Sequence, residues 1–280
     1  MRRSWRLLGV FTLLAGAVVV TLGSTAFGAS GSRDRGTLAA RGGGYFAIGC
    51  DFSHRNNDDP IVFFRQVGRS HNHTYFGNTS TNAFSTPATL RGANTTCSLR
   101  ADTAAYWVPS LIVGGRAVEP LGATVYYIRR TLENVRAFPA GLQMIAGEAS
   151  ATRAQGLGIT LWSCGRGGVR ASTTVPTCEV AFRRSGLRLQ VNYPNCWNGT
   201  SLDSANHRSH MAYSVRGICP ASHPVEVPAL TIVVRYGVAG GRQALLSSGG
   251  QFSGHADFVN AWDQQTLERL VARYLNRGRR

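Results

Sequence analysis

The chain has 280 residues, with 30 basic and 14 acidic side chains, a formal charge of +16, six cysteines and seven histidines. Every basic residue other than histidine is arginine, and the arginines are scattered rather than grouped. That distribution, with no recognisable binding motif, excludes a specific nucleic-acid binder, and the absence of a P-loop, dinucleotide fingerprint, G-x-S-x-G or H-E-x-x-H excludes the enzyme classes those motifs serve.

Residues 1–28 carry the pattern of a secretory signal. Arg2, Arg3 and Arg6 form a basic head, an apolar stretch runs from Leu7 to about Leu22, and small residues follow to Gly28 and Ala29. An uncleaved anchor is the alternative, but the stretch is short for a membrane span, and no later segment is long and apolar enough. After cleavage no stable span is expected, and the mature protein is predicted to be a secreted monomer. Residues 29–44, rich in Gly, Ser and Arg, read as a flexible linker. Residues 45–280 show no internal repeat and are taken as a single β-rich domain.

Within that domain, short β-rich runs are bounded by turn residues: YFAIGC, PIVFF, AAYWVPSLIV, ATVYYIRR, LGITLWSC, CEVAFRR, LRLQVNYP and ALTIVVRYG. LRLQVNYP alternates, with Leu187, Leu189 and Val191 facing one way and Arg188, Gln190 and Asn192 the other. One helix is predicted near the C-terminus, capped by Asp263, with Leu267, Leu270, Val271 and Tyr274 along one stripe. The fold class expected is mainly β, a disulfide-tied, jelly-roll-like β-sandwich with long loops and a C-terminal helix. Cys50, Cys97, Cys164, Cys178, Cys196 and Cys219 all follow the signal, which predicts three disulfides in an oxidising compartment. Pairing nearest neighbours in sequence gives 50–97, 164–178 and 196–219.

Most histidines lie in polar loops. GRSHNHTYFGNTSTN holds His71 and His73, which an extended backbone would aim to one side. CWNGTSLDSANHRSH holds Asp203, His207 and His210, with Asp203 placed to orient an imidazole. GHADF holds His255 and Asp257 on one side of an extended segment, although Asp257 alone reads more readily as a helix cap. DFSHRNNDD adds Asp51 and His54, and Glu148 stands alone after a turn. For each group the competing reading is structural, polar side chains holding loops together.

Several blocks together, CDFSHRNNDDPIVF, GRSHNHTYFGNTSTN, FPAGLQMIAG, CWNGTSLDSANHRSHMAYS, CPASHPVEVPAL and GHADFVNAWD, resemble a secreted bacterial and fungal family catalogued as a domain of unknown function. The resemblance covers about Ile48 to Asn276. In fungi that domain often precedes carbohydrate-binding WSC modules, which implies an exported, wall-directed protein. Glu148 stands where the family's block would carry Asp.

Three functions follow as expectations. The first is an enzyme that cleaves an extracellular or cell-wall glycan, by hydrolysis or elimination. Its acid–base groups would come from His73, His207, His210, His255 and Asp203, its sugar contacts from Trp197, Tyr75 and Asn72, and it would need no cofactor. The second is a zinc- or copper-binding extracellular protein centred on His71 and His73. The third is a noncatalytic module that binds wall glycan.

Overall fold

A computed structural model describes residues 44–165, 169–180 and 186–277. The signal and nearly all of the linker lie outside the described residues. Two five-stranded antiparallel sheets stack on each other. The first runs in the order Tyr45–Cys50, Pro120–Ile128, Ala229–Tyr236, Leu187–Asn192, Thr160–Cys164. The second runs Phe52–Asn56, His73–Gly77, Ala105–Pro109, His255–Val259, Gln143–Gly147.

The alternation of each strand explains the stacking. Ile48, Val125, Tyr127, Leu189, Val191, Leu230 and Ile232 turn inward from the first sheet. Phe76, Tyr106, Val108, Met144 and Phe258 meet them from the second, and all are buried in one core. Asp102 lies inside that core. Its carboxylate accepts from the Tyr106 hydroxyl, which in turn contacts the Tyr127 hydroxyl, and Trp262 Nε1 donates to Tyr127. Burial pushes the Asp102 carboxyl up to about 8.

The three disulfides join Cys50–Cys97, Cys164–Cys178 and Cys196–Cys219, as nearest-neighbour pairing predicts. Asp263 caps the helix Gln264–Leu270, its side chain accepting from Thr266 N, and a π-helical turn, Val271–Leu275, continues it. Leu267, Val271 and Leu275 are its buried face. The two strands of AAYWVPSLIV and the strands of YFAIGC, ATVYYIRR, LGITLWSC, LRLQVNYP and ALTIVVRYG form as the alternation indicates. PIVFF does not. Pro60–Phe64 is a turn, because Asp59 Oδ1 accepts from the amides of Ile61 and Val62 and curls the chain. Most of CEVAFRR lies outside the described residues.

The second sheet also buries its outer face. Tyr75, Trp107, Ile145 and Val259 point away from the main core and pack with Ile61, Leu90, Ala105 and Ala261 under the loops. That second, smaller core is the floor on which the histidines stand. Among the described residues no helix is long and apolar enough to cross a membrane.

Candidate metal centre

His73 and His255 stand on the outer face of the second sheet, two strands apart. His73 pairs with Pro109, and the register of Asp257 with Trp107 puts His255 across from the same proline. Strands two apart are separated by roughly 10 Å. The compact Pro109 ring between them lets the two imidazoles lean together. His71, two residues before His73, adds the third ring.

The three Nε2 atoms converge. His71 Nε2 lies 3.2 Å from His255 Nε2, and His73 Nε2 lies 3.4 Å from it. His73 Nδ1 is 2.9 Å from the Asp58 carbonyl oxygen, and His255 Nδ1 is 2.9 Å from the Ser253 carbonyl oxygen. A carbonyl only accepts, so each Nδ1 carries the proton and each Nε2 presents a lone pair. Two lone pairs 3.4 Å apart cannot bond to each other. Burial forbids the protonation that would relieve them. His71 is lowered to about 4 and His255 to about 3 by desolvation, and His73 is pushed well down for the same reason. At neutral pH the cluster is three neutral imidazoles facing one point.

Two carboxylates stand beside them. Asp257 is 1% exposed, its Oδ2 has no hydrogen-bond partner, and that oxygen lies 4.0 Å from His255 Nε2. Asp59 is 4% exposed, and one of its carboxylate oxygens lies within 4.8 Å of the ligand atoms of His73 and Asp257. Burial raises both carboxyls, and for Asp257 the neighbouring Asp59 raises it further. A buried carboxylate oxygen without a donor is costly. A cation between Asp257 and the three imidazoles would satisfy the oxygen and both lone pairs.

The geometry fits a particular class of ion. Two nitrogens on a tetrahedral zinc, each at about 2.0–2.1 Å, sit about 3.3–3.4 Å apart. The His73–His255 separation of 3.4 Å falls at that value, and the His71–His255 separation of 3.2 Å lies just short of it. Imidazole donors suit zinc and copper, and three protein nitrogens leave a position for a water or substrate. The carbonyls of Asp58 and Ser253 serve as the outer supports that fix the orientation of ligating histidines.

The Cys196–Cys219 loop closes over this cluster. His210 Nε2 donates to the Gln143 carbonyl, Leu202 O accepts from Gln143 N, and Arg208 Nη1 donates to the Gly147 carbonyl, so the loop lies along the edge strand Gln143–Gly147. Asp203 accepts from His207 Nδ1 at 2.8 Å, and His207 adopts a left-handed backbone, φ 57°. Such a conformation in a residue other than glycine costs roughly 1–3 kcal/mol and gathers at functional sites. The Arg208 charge reaches the cluster: it opposes protonation of His255 and works against the burial that raises the Asp257 carboxyl. Gly147 (φ 76°), directly opposite His255, sits so close to the Gly254 carbonyl that any Cβ there would overlap it.

The chain belongs to the family described as Domain of unknown function (DUF1996). The family model matches residues 59–262, which span both carboxylates, all three converging histidines and the loop that covers them. Comparison with curated proteins and with solved structures returned no match. The DUF1996 segment thus brings its chemistry together from both ends, since His71 and His255 are 184 residues apart.

The structure sorts the residues singled out from sequence. His71, His73 and His255 meet, and Asp203 and His207 pair above them. His210 is fully buried, with Ser204 Oγ at its Nδ1 and the Gln143 carbonyl at its Nε2, so it pins the loop. Tyr75 is fully buried, donates to the Asp58 carbonyl and stacks on His54 at 4.6 Å, which leaves no ring face for a sugar. Asn72 is spent on Asn57 and Ser110. Trp197 is half-buried, its Nε1 donating to the Ser201 carbonyl, and keeps some ring surface. Glu148 is exposed and bonded to Ser150. Asp257 is no helix cap: it sits within the strand His255–Val259. Its functional signal was the H-x-D spacing with His255, and the second carboxylate, Asp59, had none beyond the Asp-Asp pair of DFSHRNNDD.

Proposed function

We propose that this protein is an extracellular metal-dependent enzyme. His71, His73 and His255 hold one divalent transition-metal ion, zinc before copper, and the reaction is cleavage of an extracellular glycan. The observation that carries the reading is the convergence of three imidazole Nε2 atoms, two of them held as lone pairs by backbone carbonyls, beside the unpartnered Asp257 Oδ2. That geometry supports the metal reading ahead of the metal-free acid–base site that the sequence put first. The three disulfides fit an oxidising, extracytoplasmic setting.

A bound ion of this kind supplies a Lewis acid and lowers the pKa of a coordinated water. The protein's part is to orient and to move protons. Asp257 Oδ2 would stand beside such an ion as a further ligand or as a proton acceptor. The Nδ1–H of His207 is held by Asp203, which leaves Nε2 free to take a proton first and then return it to the leaving oxygen. This reading assigns substrate contact to Arg208 and half-buried Trp197.

Elemental analysis of untagged protein should find about one zinc or copper per chain, lost in His73→Ala. Reducing-end assays on a panel of wall polysaccharides should then show cleavage by the loaded protein and none in chelator. Metal-free protein that cleaves glycan in chelator would refute the metal's role. Stoichiometric metal with no cleavage of any glycan would refute the enzyme reading and leave a metal-binding protein.

A further inference from the structure

The opposite face of the sandwich carries a second feature, independent of the metal centre. The outer face of the first sheet forms a groove of about 650 Å³, within the size range of ligand sites. Strand alternation builds its floor. Arg188 and Gln190 point outward between the buried Leu187, Leu189 and Val191, and Tyr126 and Ile128 point outward on either side of buried Tyr127. Ser163 lies across from Arg188 in the register. Arg130 and Arg170 stand exposed at the border.

Among the described residues, three arginines and no Asp or Glu line this groove. Among the described residues the only ion pairs are His207–Asp203 and His255–Asp257, so Arg130, Arg170 and Arg188 have no carboxylate partner there. Guanidinium groups take carboxylates in two-point hydrogen bonds and are less strongly hydrated than ammonium groups. Gln190 and Ser163 add neutral polar groups suited to hydroxyls. Among the described residues Tyr126 is the only aromatic ring in the lining, whereas single-stranded nucleic acid needs a run of stacking rings.

We propose that this groove binds an acidic polysaccharide, a polymer of uronic acid residues, through Arg130, Arg170 and Arg188. Because the two features lie on opposite faces, this binding does not depend on the metal or on cleavage.

The test is titration of the full chain with polygalacturonate, neutral dextran and duplex DNA at about 0.15 M salt, where long-range charge attraction is screened beyond about 8 Å. Polygalacturonate should bind, dextran should not, and chelator should change neither. Arg130→Gln with Arg188→Gln should weaken polygalacturonate binding at least tenfold. The charge-matched control, Arg100→Gln with Arg116→Gln, removes two exposed arginines outside the groove and should change it less than twofold. Circular dichroism verifies that both variants fold. Equal losses in both double variants would reduce the effect to net charge and overturn the proposal. So would equal binding of dextran, or duplex DNA that binds more tightly and is lost in the same groove variant.

Discussion

Replacing His255 by alanine tests the metal centre most directly, because its Nε2 is the atom both other imidazoles approach. With ligand at about 100 times its dissociation constant, a site absent from the unfolded chain adds about 2.7 kcal/mol of stability. For a domain of this size 1 kcal/mol moves the midpoint by roughly 2–4 °C. Zinc should therefore raise the thermal midpoint of the native protein by roughly 5–11 °C over its value in chelator. In His255→Ala the same comparison should give a shift of less than about 2 °C. The variant loses one of three nitrogens and frees the Ser253 carbonyl, so its chelated form should also be about 1–3 kcal/mol less stable than the native apo form. Differential scanning calorimetry with and without zinc, for both proteins, measures all four midpoints. A native midpoint indifferent to zinc and copper, or an equal zinc shift in His255→Ala, would refute the argument from converging lone pairs.

Four further outcomes follow from the structure. Asp257→Asn should change sign with metal: a carboxyl raised by burial stabilises the fold at acid pH and loses that contribution as pH rises, so in chelator the variant should melt higher than native at pH 7, with the gain fading toward pH 4, while with zinc it should melt lower. His71 and His255 act oppositely, since lowered imidazoles contribute fully above about pH 6.5 and lose that contribution as pH falls toward 4 and 3. Urea melts of the chelated protein from pH 7 to pH 4 should show stability falling, and less steeply in His255→Ala. Gly147→Ala should cost at least about 2 kcal/mol and weaken zinc binding measured by competition with a chromogenic chelator, because the new Cβ overlaps the Gly254 carbonyl beside His255. Asp102→Asn should change the urea midpoint little near pH 7, whereas Asp102→Ala should lose about 1–3 kcal/mol, because the Tyr106 hydroxyl would be left without its acceptor.

The sequence alone determined the features written in short-range order. Alternation in LRLQVNYP and ATVYYIRR marks strands because a side chain's face follows from its own neighbours. Asp263 marks a helix start because the cap bonds an amide three residues on. The disulfides follow sequence proximity because short loops close at small entropic cost. Tertiary structure decided the rest. Nothing local told Pro60–Phe64 that Asp59 would turn it, or Tyr75 that its ring would be sealed against His54. His255 and His73 share a point in space through sheet order and register, relations between strands 182 residues apart that no periodicity encodes. The same register put Asp257 in a strand beside the imidazoles, where burial leaves its carboxylate oxygen without a donor. A metal site is a property of converging lone pairs, and convergence is what the packing of the second sheet supplies.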